Sequence, residues 1–310
     1  SYEIAHIVQD GLRRMYGENP EDIIYYLTMY NEPIVQPAQP EGIDVDGLLK
    51  GMYLYSAGDD AGLGGTPPRC QLLASGVGMP WALEAQQLLR DDWGVVADVW
   101  SVTSWTELRR EAMDCDEQAF LYPEAERRTP YITSVLQDRV GPVVAVSDYM
   151  KQVQDQIRPW IPEEFSALGT DGFGFSDTRA AARRYFHVDG PSMAVRALQM
   201  LADRGWVAED APGKAAEKYR LLDVTAGASG NPEWAPPVVR LGYGSFITPG
   251  TVYDYVVATG EFVLRKQPPG DLLPSAHAVD REFRVLRALA DSDVPVPRAL
   301  IYHDDPALLG

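Results

Sequence analysis

The sequence predicts an open, mainly parallel α/β sheet, followed by a smaller α+β piece of different texture. Three observations carry this. Short β-prone apolar runs alternate with amphipathic helical runs across the middle of the chain. A Gly-, Pro- and Asp-rich stretch, SAGDDAGLGGTPPRC (56–70), precedes that alternation. A second break, from about 206 to 240, follows it, and beyond the break the pattern restarts as paired strands and one helix.

Taken in order, Ile4, Ile7, Val8, Leu12 and Met15 recur at helical spacing, with Gly17 closing the segment. DIIYYLTM (22–29) is nearly continuously apolar and β-prone, the pattern of a strand buried on both faces. NEPIVQPAQPEG is a proline-rich connector, and a short helix around 44–50 leads to GMYLYSAG. After the linker come the strand CQLLASGV, the helix PWALEAQQLLRDDW ended by Gly94, the strand VVADVWSV and the helix TELRREAMD. YITSVLQDR reads as helix, GPVVAVSD as strand, YMKQVQDQIRPW as helix and FSALGTDG as strand. The helices TRAAARRYF and MAVRALQMLADRG close the region. Further on, TVYDYVVATGEFVLRKQ predicts a β-hairpin across a Thr-Gly turn. VDREFRVLRALA predicts a helix with Val279, Phe283, Leu286 and Leu289 on its apolar face.

Charge and cysteine content exclude several functions. A net charge of −18 opposes a nucleic-acid surface, which needs clustered Lys and Arg. Cys70 and Cys115 are the only cysteines, too few for a disulfide framework or a cysteine-type zinc site, and favour a reducing, cytoplasmic compartment. No apolar run reaches the roughly 18 residues of a membrane helix, so no membrane partner is expected. The chain opens inside an amphipathic pattern and stops at LIYHDDPALLG without a polar tail, which predicts a piece of something longer.

Few residues suggest chemistry. GTDGFGFSDTR (169–179) lies where a strand meets a helix. Amides there could hold an anion with Arg179 or Arg183, or the glycines could make a tight turn with Asp177 capping the helix. The glycine spacing fits neither the dinucleotide fingerprint nor the phosphate-cradling loop. His187 could act as a general acid or be a partly buried structural residue near a helix end. There is no G-x-S-x-G elbow and no H-E-x-x-H pair. Trp81, Trp93, Trp100, Trp105 and Trp160 read as packing. In EFVLRKQPPGDLLPSAHAVDREFRVLRAL (261–289), Val263 and Arg265 share one strand face, and Glu282 follows Arg265 by 17 residues inside a helix. A strand cation paired with a helix glutamate is how kinase-type folds hold ATP phosphates; the same pair could be a surface ion pair of little energetic weight.

Two resemblances cover different parts of the chain. YEIAHIVQDGLRRMYGE, NEPIVQPAQPEG, DVWSVTSWTELRREAMDC, SDYMKQVQDQIRPWIP and LGTDGFGFSDTR resemble, in this order, the C-terminal part of the homodimeric pyruvate dehydrogenase decarboxylating component. The resemblance implies a transketolase-like fold. Residues 1–57 would end a pyrimidine-binding domain, 58–69 would link it, and 70–225 would form a transketolase-type C-terminal domain. It implies thiamine diphosphate and magnesium in the whole enzyme, a homodimer, and a dihydrolipoyl acetyltransferase partner that receives the acetyl group on its lipoyl arm. No catalytic residue of that family can be placed on a position here, so this chain alone is expected to be inactive. After a junction at 226–249, residues 250–310 resemble the N-lobe of an aminoglycoside-phosphotransferase-like kinase. That resemblance puts Arg265 in the place of the strand lysine, Glu282 as its partner and Val263 against the adenine of ATP. GYGSFITPG (242–250) fits the family's phosphate loop poorly. The expectation is of two unrelated pieces joined between about 225 and 255, either as a genuine fusion or through an artefact of the reading frame.

Overall fold

The structure is a computed structural model that describes residues 2–30, 37–172, 177–224, 226 and 287, and the backbone of two strands at 238–245 and 248–256. The chain divides into two compact units, Ser1–Ser229 and Gly230–Gly310.

The first unit is built on a five-stranded sheet, with β1 (Met52–Ser56), β2 (Arg69–Ala74), β3 (Val96–Val102), β4 (Val143–Val146) and β5 (Phe165–Leu168) in the order β1-β3-β2-β4-β5. Strands β2 to β5 are parallel, and β1 pairs antiparallel with β3 at the edge, Tyr53 opposite Ser101. The parallel strands are apolar because helices cover both faces. Leu72 and Leu73 are neighbours on β2, yet both are fully buried, on opposite sides of the sheet. Each such side chain contributes about 1.5–3 kcal/mol by leaving water.

On one face lie α3 (Met79–Trp93) and α8 (Gly190–Asp203), contributing Ala82, Ala85, Leu89, Met193, Ala197 and Leu201. On the other lie α4 (Trp105–Leu121) and α5 (Tyr131–Leu136), contributing Trp105, Leu108, Ile132 and Leu136. Local signals set the helix ends. Ser104 accepts from the Glu107 amide to cap α4, Asp189 accepts from Ser192 to cap α8, and Gly94 ends α3 in the left-handed conformation. Helix α1 (Tyr2–Tyr16) forms over the predicted stretch, and α2 (Val45–Lys50) forms where the short helix was expected.

Several expectations are corrected. DIIYYLTM is not a strand: 20–30 has no regular element, and Ile24 is 94% exposed. A strand buried on both faces needs pairing partners and covering layers, and no described strand pairs with this segment. The helix from TELRREAMD runs on to Leu121, since CDEQAFL holds no breaker. The helix of 149–160 is shorter, α6 (Lys151–Asp155) followed by a 3₁₀ turn, Arg158–Trp160. Pro159 has no amide to continue the ladder. The second break contains a helix, α9 (Ala211–Lys218), which follows the short α7 (Arg179–Tyr185) and α8 in the chain.

In the second unit, β6 (Val238–Ser245) and β7 (Thr248–Val256) form an antiparallel hairpin, Val239 opposite Tyr255. Strand β7 therefore pairs with a segment that the sequence pattern left in a break and junction. The expected partner strand at 261–267, and with it Val263, Arg265 and Glu282, lies outside the described residues.

Candidate functional site

Open parallel sheets take ligands beyond the carboxyl ends of their strands, where the connections reverse direction. Here that point lies between β2 and β4, the inner pair from which the chain proceeds to β3 on one side and β5 on the other. Beyond β2, Ser75 leads through a 3₁₀ turn, Gly76–Gly78, into α3. Gly76 has φ of 52°, and a Cβ there would come 2.4 Å from the ring of Tyr30. The Tyr30 hydroxyl donates to Asp148 Oδ1, just past β4, at 2.7 Å. One residue on, the Tyr149 hydroxyl donates to Thr28 Oγ1 at 2.8 Å. The Trp105 indole N–H donates to Ser75 Oγ at 3.0 Å. The crevice thus holds side chains of this same chain, and burial followed by the Asp148 carboxylate pushes the Tyr30 phenol pKa well up.

The glycine-rich segment after β5 is knitted to the same strand ends. Thr170 donates its amide to Tyr149 O at 2.9 Å and its hydroxyl to Asp148 O at 2.6 Å. Asp171 Oδ1 accepts from the Lys151 amide at 2.9 Å. These bonds fix Thr170 and Asp171, whereas 173–176, the middle of the segment read as a tight turn or an anion cradle, lie outside the described residues. The cap of α7 is Thr178, accepting from Ala181, while Asp177 accepts from the Thr178 amide one residue away. Arg183 lies over Trp81, 5.2 Å from the ring centre. His187 is exposed, not partly buried, and takes a left-handed φ of 58° just after α7.

A cavity of about 390 Å³ opens elsewhere, beside β1 and α5, walled by Tyr53, Tyr55, Trp100, Tyr131 and Arg139 with Glu41 among its lining. Arg139 stacks over Trp100 at 5.1 Å and reaches the buried Asp98 at 3.4 Å. Aromatic rings, two carboxylates (Glu41 and Asp44) and one guanidinium line it, an arrangement that suits packing or binding. Its walls come from four distant parts of the chain, and sequence reasoning took Trp100 as packing alone.

Among the described residues no group of three His, Cys, Asp or Glu could hold a metal ion, and no helix is long and apolar enough to cross a membrane. The described residues therefore provide no acidic cluster for the magnesium of a thiamine diphosphate site.

Residues 51–189 match the family described as the transketolase-like TK C-terminal domain, and residues 251–310 match the phosphotransferase enzyme family. Among curated relatives, the pyruvate dehydrogenase E1 component of Mycolicibacterium smegmatis is 54% identical over 226 residues. That of Mycobacterium tuberculosis is 50% identical over 226 residues. Each match covers 73% of this chain and 24% of the relative. The Escherichia coli K12 component is 41% identical over 222 residues, 71% of this chain and 24% of its own. The chain thus spans about a quarter of the length of the relatives it matches, and its first unit has the transketolase-like C-terminal fold.

Proposed function

We propose that residues 1–225 do the structural and dimerising work of a pyruvate dehydrogenase decarboxylating component. The observation that carries this is 54% identity over 226 residues, together with a sheet whose strand-end crevice is filled from within. The whole enzyme would use thiamine diphosphate and magnesium to decarboxylate pyruvate, and would pass the acetyl group to a lipoyl arm of a dihydrolipoyl acetyltransferase, in the cytoplasm. This chain's own residues supply the packed sheet and the helical layers of the C-terminal domain. By itself it does not decarboxylate pyruvate. Pyruvate-dependent dye reduction by the purified chain, or tight thiamine diphosphate binding by calorimetry, would overturn the reading; a dimer in light scattering with neither property supports it.

A second reading has its own support in the phosphotransferase match over 251–310. In it the C-terminal residues form a nucleotide-binding module, Arg265 meeting ATP phosphates, Glu282 orienting Arg265 and Val263 facing the adenine. It predicts weak ATP binding that Arg265→Ala abolishes. An unchanged affinity in that variant ends it.

A further inference from the structure

The outer edge of β1 opens onto the cavity beside α5. Met52, Tyr53 and Leu54 pair with Val102, Ser101 and Trp100, and one residue earlier Gly51 O accepts from the Thr103 amide at 2.9 Å. Hydrogen-bonded and non-hydrogen-bonded residue pairs alternate along an antiparallel ladder. Gly51 and Tyr53 therefore turn their backbone groups toward β3, and Met52 and Leu54 turn theirs away from the sheet. The Tyr131 hydroxyl bears out this phase, since it donates from α5 to Met52 O at 2.8 Å. Among the described residues nothing is bonded to the outward amide and carbonyl of Leu54. A donor and an acceptor left open on an edge strand form a template for one more strand.

The side chains around that edge favour a cation. Arg139 is matched by Asp98, and Lys50 by Asp46 at 2.6 Å. Glu41 and Asp44 also line the cavity, and neither has a cationic partner among the described residues. Asp44 spends Oδ1 on the Gly47 amide at the start of α2, which leaves its charge uncompensated. The Tyr131 ring already attracts one ammonium, Lys50 Nζ at 5.3 Å from its centre. After internal pairing the lining thus keeps two carboxylates beside aromatic faces, which draws a cation and opposes an anion. The cavity, about 390 Å³, is of the size that holds small ligands.

We propose that the outer edge of β1 is a docking site for a short extended peptide carrying a lysine or arginine, whose backbone pairs with Leu54 and whose cation meets Glu41 and Asp44. Cross-strand neighbours project to the same face of a sheet. Leu54 packs with Trp100 and Tyr131, so a guest residue opposite Leu54 sends its side chain to the face those rings occupy. The guest is short for two reasons. Tyr131 already occupies Met52 O, and the register of β1 shifts between Leu54 and Ser56. Leu54 is thus the one β1 residue before the shift with both outward groups open.

The test titrates the isotope-labelled full chain with the blocked tripeptide acetyl-Val-Lys-Val-amide and follows the Leu54 amide and Trp100 indole resonances by NMR. Valine keeps the probe extended. Both resonances should shift to saturation, and acetyl-Val-Glu-Val-amide should bind about tenfold more weakly. Glu41 is exposed, so Glu41→Lys should leave the fold intact while reversing that preference. Methylating the lysine amide nitrogen, which removes the donor to Leu54 O, should abolish the shifts. n-Butylamine, a cation without a peptide backbone, should leave the Leu54 amide unmoved. Absence of saturation up to about 10 mM probe would overturn the proposal, as would equal binding of the lysine and glutamate probes or undiminished binding after methylation. Shifts of the Leu54 amide on concentrating the protein alone would give the edge to a second copy and overturn it too.

Discussion

Tyr30 and Asp148 lie 118 residues apart in sequence, and the phenol donates to the carboxylate at 2.7 Å across the carboxyl ends of the sheet. The bond fastens an irregular segment, 20–30, to the position where such sheets hold ligands. Gly76 makes room for the ring and Tyr149 holds Thr28 beside it. Removing the phenol oxygen in Tyr30→Phe should cost about 1 kcal/mol and expose 20–30 to limited proteolysis. Gly76→Ala should do the same by a different route, because its Cβ would displace the ring. Unaltered cleavage in both variants would show that the segment is held elsewhere.

Helix α1 is tied to the sheet through its first turn, by Glu3 and Tyr2. Glu3 Oε1 accepts from Tyr53 Oη at 2.8 Å on β1 and from Ser101 Oγ at 2.7 Å on β3, and the Tyr2 hydroxyl joins Tyr53 at 2.7 Å. Glu3→Ala leaves buried hydroxyls short of an acceptor and should destabilise by about 1–3 kcal/mol. Urea unfolding would measure this, and amide exchange should show α1 losing protection before the sheet.

The Arg184–Asp189 pair is buried on both sides, 4% and 7% exposed. Its partners are complete: a helix cap for Asp189 and two carbonyls for Arg184. Deleting one charge strands the other, so Asp189→Ala should cost about 3–5 kcal/mol. A surface pair such as Lys214–Asp210 should cost under about 1 kcal/mol when broken. The contrast between the two in thermal melts is the check.

His187 holds a left-handed backbone in an exposed position just after α7, with Val188 N donating to Arg183 O at 2.9 Å. His187→Gly should therefore stabilise by about 1 kcal/mol. A destabilised glycine variant would instead assign a role to the ring.

Both thiols are buried and free. Burial, then Asp98, pushes the Cys70 thiol up to about 12. Burial, then the Glu111 carboxylate that accepts its S–H, pushes Cys115 up to about 11. Neither should react with an alkylating reagent at pH 7.5 in the folded chain, and both should do so in urea.

Parallel strands and covering helices were legible because their patterns are local: VADVWSV is mostly apolar and buried throughout since both its faces are covered, and Gly94 ends α3 because left-handed backbone suits glycine. The same rule misread DIIYYLTM, since an apolar β-prone run reports only the wish to be buried and not whether a neighbour exists to pair with it. The crevice and the cavity were not legible at all. Tyr30, Gly76 and Asp148, like Tyr53, Trp100 and Arg139, signal nothing until strand order brings them together. Val263, Arg265 and Glu282 stand as the sequence pattern left them, a spacing without described geometry.

By itself, then, the sequence determined the alternation of strand and helix, the two breaks in texture and the kinship of its segments, because side-chain periodicity and local backbone preference act over a few residues. Only the tertiary structure decided that Tyr30 fills the switch point, that Glu3 fastens α1, and that the outer edge of β1 opens onto a cavity beside α5. Those depend on contacts between residues far apart in the chain, which arise when the burial of apolar faces fixes strand order and helix placement.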